Sequence, residues 1–317
     1  MPIEDSEERR IKRIERAYQW VYAHLEPSEL IKHDQSWPEQ RGVLSKSRET
    51  SDTLFLDYYS VDGLHLALES YGFLEEIRKK NLGEPKISIN RHEKGYDILR
   101  LHTEKTEFPI VELVAQTGPL DTQTAKLVPQ VKNQKFLHVR WLRMQNPLKK
   151  VKPDRPLLPG QDFVGLGLGR EMMVLLQMVC NRLQLDGIIE LPERLHNAAL
   201  YFRRFRFFDP EMQGILTAIL RDTQKHTLTE LAWGMEIGAL VHQETRKTYR
   251  WIAKEQVLPR AGPILLYLNS QEYRDQAKAV MEANHFSLQT GDLALDQIMA
   301  EGKQPSTYGD LFPSKVK

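Results

Sequence analysis

Leu157-Leu-Pro-Gly-Gln-Asp-Phe-Val-Gly-Leu-Gly-Leu-Gly-Arg-Glu-Met-Met173 sets three alternating glycines, Gly165, Gly167 and Gly169, against the start of a strongly periodic apolar segment. Glycine lets a backbone turn without a Cβ clash and lets a ligand approach closely. A helix N-terminus offers unpaired N–H groups and a partial positive charge. Together these predict a cradle for a diphosphate, with a tight turn into the helix as the purely structural alternative. A phosphate-binding P-loop would need Gly-Lys-Ser/Thr, but Gly169 is followed by Arg170-Glu171. A dinucleotide fingerprint needs G-x-G-x-x-G directly after a buried strand. Here the spacing is G-x-G-x-G after proline-rich sequence, although Glu190 lies at a workable distance for a ribose contact.

Outward from this loop, Met172, Leu175, Leu176, Val179 and Leu183 line one face of a helix expected over 169–183. A short strand is expected at 187–191, then a helix from Pro192 to about Arg204 and an aromatic strand at 205–208. Upstream, strands are expected at 53–59, 96–103, 109–115 and 136–144, with a helix from Asp62 to about Lys80. Along 136–144, Leu137, Val139 and Trp141 alternate in one phase, and Leu142 and Met144 continue in the other. Such a slip marks either a bulge or a strand end buried on both sides. Ile11, Ile14, Tyr18, Val21 and Leu25 make an amphipathic N-terminal helix, free to dock on the body or to pair with another chain. From Pro210 the pattern turns helical, at 210–222, 227–254 and 271–283, with a strand at 263–268 and a frayed tail from Lys303. The expected organisation is therefore 1–52 (helix and irregular connection), 53–210 (a mixed sheet covered by helices) and 211–317 (mainly helical).

The loop resembles motif A of the GNAT superfamily of acyl-CoA-dependent acyltransferases, [RQ]-G-x-G-x-[GA] followed by a helix. Val164-Gly-Leu-Gly-Leu-Gly169 carries the match, with Val164 where the family has Arg or Gln and Gln161 the nearby substitute. Leu195-His-Asn-Ala-Ala-Leu-Tyr-Phe-Arg-Arg-Phe-Arg-Phe207 is similar to motif B through Ala198, Phe202 and Phe207, with Arg206 at its glycine. The resemblance covers about residues 53–210. It implies an α+β fold: a GNAT-like mixed central sheet flanked by helices, here with an N-terminal helix and a mainly helical C-terminal extension. It also implies an acyl-CoA cosubstrate, acetyl-CoA first. The diphosphate would lie on Gly165, Gly167, Leu168, Gly169 and Arg170, and the pantetheine arm along Leu142, Arg143 and Met144. The acyl group would pass by direct attack to an amine acceptor that the sequence does not identify.

Acyl transfer to an amine needs a base for the ammonium proton and an acid for the leaving thiolate. Glu112 shares a strand face with Ile110 and Val114, and is either that base or an ordinary exposed glutamate. Tyr201 has the hydroxyl nearest the family's tyrosine position, and is either the acid or a core aromatic. Cys180 falls on the buried side of its helix, against an acyl-cysteine intermediate. The basic residues Lys149, Lys150, Lys152, Arg155, Arg203, Arg204 and Arg206 either line a coenzyme A mouth or form solvated faces.

Composition bounds the rest. Across 317 residues, Lys+Arg is 44 and Asp+Glu 43, a net charge of +1 that excludes a uniformly basic nucleic-acid coat. The basic runs lack interleaved aromatics except at 201–208, which argues against nucleic acid. One cysteine excludes an intramolecular disulfide and a multi-cysteine zinc site, and the histidines show no metal-binding spacing, so no metal is expected. No apolar run is long enough to span a membrane, and the charged N-terminus has no apolar centre, so a cytoplasmic protein is expected, with a homodimer open. The rival function is a GNAT-fold ligand-sensing or interaction module without catalysis; a dinucleotide enzyme ranks third.

Overall fold

The structure is a computed structural model, described for residues 2–31, 53–131, 133–152 and 155–289. The first elements are α1 (Pro2–His24), α2 (Pro27–Ile31), α3 (Val61–Ser70), α4 (Phe73–Arg78), β1 (Lys86–Arg91), β2 (Asp97–His102) and β3 (Val111–Gly118). Next come α5 (Thr122–Leu127), a 3-10 turn at Pro129–Val131, β4 (Phe136–Asn146), β5 (Val164–Gly165), α6 (Gly169–Arg182), β6 (Gly187–Glu190), α7 (Leu195–Tyr201) and β7 (Arg206–Phe207). The last are α8 (Pro210–Asp222), α9 (Leu228–Glu236), β8 (Leu240–His242), β9 (Lys247–Thr248), β10 (Gln256–Pro259), α10 (Pro263–Leu268), α11 (Gln271–Ala283) and β11 (Phe286–Leu288). The protein is thus mixed α/β with mostly antiparallel strand pairs, and no described helix is long and apolar enough to cross a membrane.

The chain divides into two compact units, and not at residue 210. One comprises 1–118, 137–148 and 165–185; the other comprises 119–136, 149–164 and 186–317. In the first unit β1, β2, β3 and β4 lie in that order. β1 pairs antiparallel with β2 (Ser88↔Arg100) and β2 with β3 (Arg100↔Glu112). One face buries Leu99, Leu101, Val111, Leu113 and Ala115, the inward phase of alternating strands. Leu64, Leu68, Phe73 and Leu74 of α3 and α4, with Met172, Leu175 and Leu176 of α6, are also buried. An apolar cavity of about 60 Å³ lies among Leu68, Phe73, Leu101, Leu113, Leu137 and Met172. Helix α1 docks on the body through its last turn. The Arg182 guanidinium donates to the carbonyls of Tyr22 and Leu25, at 3.0 Å each, and covers the Tyr22 ring at 4.2 Å.

In the second unit β10 lies between β6 and β7, antiparallel to both. β11, β8 and β9 form a separate three-stranded sheet. Leu195, Ala198, Phe207, Leu216, Leu231 and Phe286 gather in one core cluster.

Three segments depart from the sequence expectation. Residues 53–59 form no strand: Leu56 and Asp57 take left-handed φ values of 56° and 55°, closing a turn that the Phe55–Tyr59 bridge flanks. The buried carboxylate of Asp97 holds it by accepting from the Leu56 amide at 2.7 Å. The helix expected from Asp62 to Lys80 breaks at Gly72 (φ 72°), and its cap is Ser60. Beyond residue 210, helix α9 ends at Glu236 and Gly238 (φ 78°) turns the chain into β8 and β9, so the described part of the C-terminal region, helical for the most part, also carries short strands. Conversely, 263–268 is helical, since Pro263 after Gly262 (φ 79°) suits a first helical turn. The expected frayed tail lies outside the described residues, as does most of the irregular connection, 32–52.

Candidate functional site

Around the glycine loop the side chains alternate. Leu166 and Leu168 are buried, whereas Gly165 and Gly167 are exposed. The Leu166 amide donates to the Met144 carbonyl at 3.0 Å, fastening the loop beside the end of β4. Gly167 has φ +77°, a left-handed conformation that itself favours glycine. Gly165 and Gly169 have no such need. Neither has a positive φ. A Cβ would meet only the Met144 carbonyl, at 4.0 Å, at Gly165 and nothing within 4 Å at Gly169. The amides of Gly167, Leu168 and Gly169 have no acceptor among the described residues. Helix α6 starts at Gly169 without a side-chain cap, and its first cross-turn bond runs from Met172 N–H to Leu168 C=O. Leu168 can therefore offer only its backbone, because its side chain is 2% exposed. Arg170 is half-buried in the first turn.

On β4, Leu142, Arg143 and Met144 are all half-buried. Arg140 and Trp141, just before them, are exposed, and the Arg143 guanidinium lies 5.5 Å from the centre of the Trp141 ring. The strand is not a clean alternation. Its two ends are buried on consecutive residues and its middle is open.

Glu112 sits differently from its expected apolar stripe. The buried phase of β3 is Val111, Leu113 and Ala115, and Glu112 points to the half-buried face with Val114. Its two oxygens meet two guanidiniums: Arg100 Nε donates at 2.6 Å, and Arg143 Nη2 stands at 3.6 Å. His102 belongs to the same half-buried phase of β2 as Arg100. Burial first, then the Arg100 charge, push its pKa below the ordinary value, which keeps the ring neutral near pH 7. Sequence reasoning missed Arg100 and His102. Their signal was the alternation Ile98, Arg100, His102 along one strand phase.

Tyr201 belongs to the second unit, at the end of α7. Its ring packs against Phe205 at 5.8 Å. Burial first, then the Glu190 charge, push its hydroxyl up to about 12. Glu190 ends β6 with its Oε1 shut off from solvent and without a hydrogen bond, and burial pushes its carboxyl up to about 8. Gln256, opposite it on β10, is fully buried with neither polar side-chain atom bonded. Arg206, counted among the basic residues of a coenzyme A mouth, instead donates to the Leu268 carbonyl at 2.8 Å and to Asn269. Gln161 accepts from the Leu158 amide at 3.0 Å. Cys180 is buried, and no group of side chains fit to hold a metal occurs among the described residues.

No family model matches the chain, and no curated protein matches it significantly.

Proposed function

We propose that the protein is an acyl-CoA-dependent N-acyltransferase of the GNAT type, with acetyl-CoA as its first candidate cosubstrate. The observation that carries this reading is the pair Gly165 and Gly169. Neither backbone angle nor packing requires glycine there, and both border open space beside three amides that have no acceptor among the described residues. A backbone kept bare at a helix start suits a diphosphate, which several N–H groups can share. The chain order supports the same reading: a strand, the loop, α6, β6, α7 and the aromatic strand β7 follow as in the family. Leu142, Arg143 and Met144 would then run along the pantetheine arm, since the Leu166–Met144 bond sets the loop beside them.

In the reaction the acceptor's ammonium loses a proton, the free amine attacks the thioester carbonyl, and the carbon–sulfur bond breaks, releasing coenzyme A as a thiolate that is protonated as the attacking nitrogen sheds its second proton. Glu112 is the candidate to take that proton. Pairing with Arg100 and Arg143 keeps its carboxylate oriented and also occupies it. That occupation favours the second reading, a coenzyme A-binding module without turnover.

Calorimetry with acetyl-CoA on the parent and on Gly169→Val tests the loop. A Cβ at this position has no protein atom within 4 Å, so melting should be nearly unchanged while affinity falls about tenfold or more. Equal affinity in the two proteins would remove the diphosphate assignment. Turnover on an amine panel separates enzyme from module.

A further inference from the structure

The apolar cavity of about 60 Å³ in the first unit has polar neighbours that the proposed chemistry does not use. Besides its aliphatic wall, Arg182, Tyr22, Tyr59 and Tyr71 line it. These four sit together: the guanidinium covers the Tyr22 ring at 4.2 Å, and its charge acts on Tyr59 and Tyr71. Arg182 bonds only through Nη2, to the Tyr22 and Leu25 carbonyls; Nε and Nη1 have no hydrogen-bond partner among the described residues. No carboxylate pairs with it there either. The last turn of α6 and the two carbonyls offset part of its charge but supply no counter-anion. The hydroxyls of Tyr22, Tyr59 and Tyr71 are likewise without a partner among the described residues. Tyr59 is only 5% exposed, and a buried phenol ordinarily finds a hydrogen bond. Burial pushes the Tyr59 hydroxyl up and that of Tyr71 up to about 12, with the Arg182 charge opposing, so both remain protonated donors near pH 7. Tyr18 packs on Tyr71 at 4.9 Å but does not line the cavity. Burial first, then the Glu171 and Glu76 carboxylates, raise its pKa, and Glu171 is met by Arg10 at 3.6 Å.

One guanidinium without a counter-anion balances one negative charge, and the aliphatic wall beside it calls for an apolar tail. At about 10–15 Å³ for each water-sized position, the cavity has room for about four to six non-hydrogen atoms. We propose that this cavity binds a short-chain monocarboxylate, its carboxylate on Arg182 and the Tyr59 hydroxyl and its tail among the leucines. Because Nη2 is taken by carbonyls, Arg182 offers no parallel two-pronged fork. One carboxylate oxygen therefore accepts from the guanidinium and the other from the phenol. Arg182, Tyr22 and Tyr71 are half-buried, which leaves the carboxylate end within reach of solvent. The site stands independently of the acyl-transfer reading.

Ligand-observed NMR on the full chain without coenzyme A tests head and tail separately. Hexanoate and 1-hexanol share a tail and differ in charge; hexanoate should bind about ten- to a hundredfold more tightly, the span of charge-assisted hydrogen bonds. Each buried methylene is worth about fourfold, so hexanoate should exceed butanoate about fifteenfold. Octanoate, too long for the cavity, should gain nothing further. Tyr59→Phe removes one donor and keeps the ring, so hexanoate affinity should fall about three- to tenfold with no loss of melting temperature. Ala115→Leu fills the cavity from β3 and should bring hexanoate down to the level of butanoate. Should Ala115→Leu fail to fold, the parent chain gives the same information: the terminal methyl of bound hexanoate should show a nuclear Overhauser effect to the Met172 methyl, which lines the cavity. Equal binding of hexanoate and 1-hexanol would overturn the site. So would an affinity that climbs unchecked to octanoate, survives Tyr59→Phe and folded Ala115→Leu intact, or comes without the contact to Met172.

Discussion

Glu190 makes the sharpest test of how this protein balances burial against charge. Its ordinary carboxyl value is 4.5, and burial raises it to about 8 in the folded chain. The folded state therefore holds a proton that the unfolded chain releases. Stability from this group is fully present below about pH 4.5, declines as pH rises towards 8, and is gone above that. At about 1.4 kcal/mol for each pH unit, the span sets a ceiling of about 5 kcal/mol. Water entry and local relaxation on ionisation reduce this, and we expect about 2–3 kcal/mol. Glu190→Gln removes the titration and keeps the shape. Urea unfolding of both proteins from pH 5 to pH 9 gives the difference curve. Groups that titrate in both proteins, such as His196, cancel in that difference. The parent should lose about 2–3 kcal/mol relative to the variant across the range. Parallel curves would show that the carboxyl is hydrated in the folded state, and the burial argument would fail.

Two further changes test the packing of the first unit. In Gly63→Ala a Cβ would stand 1.9 Å from the Leu30 carbonyl oxygen, a backbone atom that cannot step aside, so α2 and α3 must separate; a loss of about 3 kcal/mol should appear in thermal melts. Arg182→Met keeps the apolar stem but removes the two bonds to Tyr22 and Leu25 and the ring contact, which should weaken α1 docking by about 2 kcal/mol. Faster proteolytic cleavage within residues 9–25, with the rest of the chain intact, is the expected readout.

The parts legible in the sequence are those set by neighbouring residues. Helix α6 follows from its own apolar spacing and from the glycines before it, and α8 and α11 from periodicity. What failed depended on distant partners. β8 and β9 read as helix because residues 227–254 are apolar at helical spacing, yet Val241 pairs with Ser287 of β11. Phe55–Tyr59 has strand composition, but the Asp97 carboxylate holds the amide of Leu56 in a turn. In the candidate site, the bare glycine loop was readable. The setting of Glu112 was not, because Arg100 and Arg143 come from neighbouring strands. The burial of Glu190 was equally hidden, because the strand beside it, β10, lies far along the chain.

The position of β10 has a practical consequence for anyone wishing to shorten this protein. A fragment ending at residue 210, where the texture of the sequence changes, would delete the strand that separates β6 from β7. Both would be left with open backbone edges and their glutamine-bearing neighbour removed, a recipe for sticky, self-associating material. Minimisation should therefore proceed by replacing surface loops, with β10 and the strands it joins kept whole.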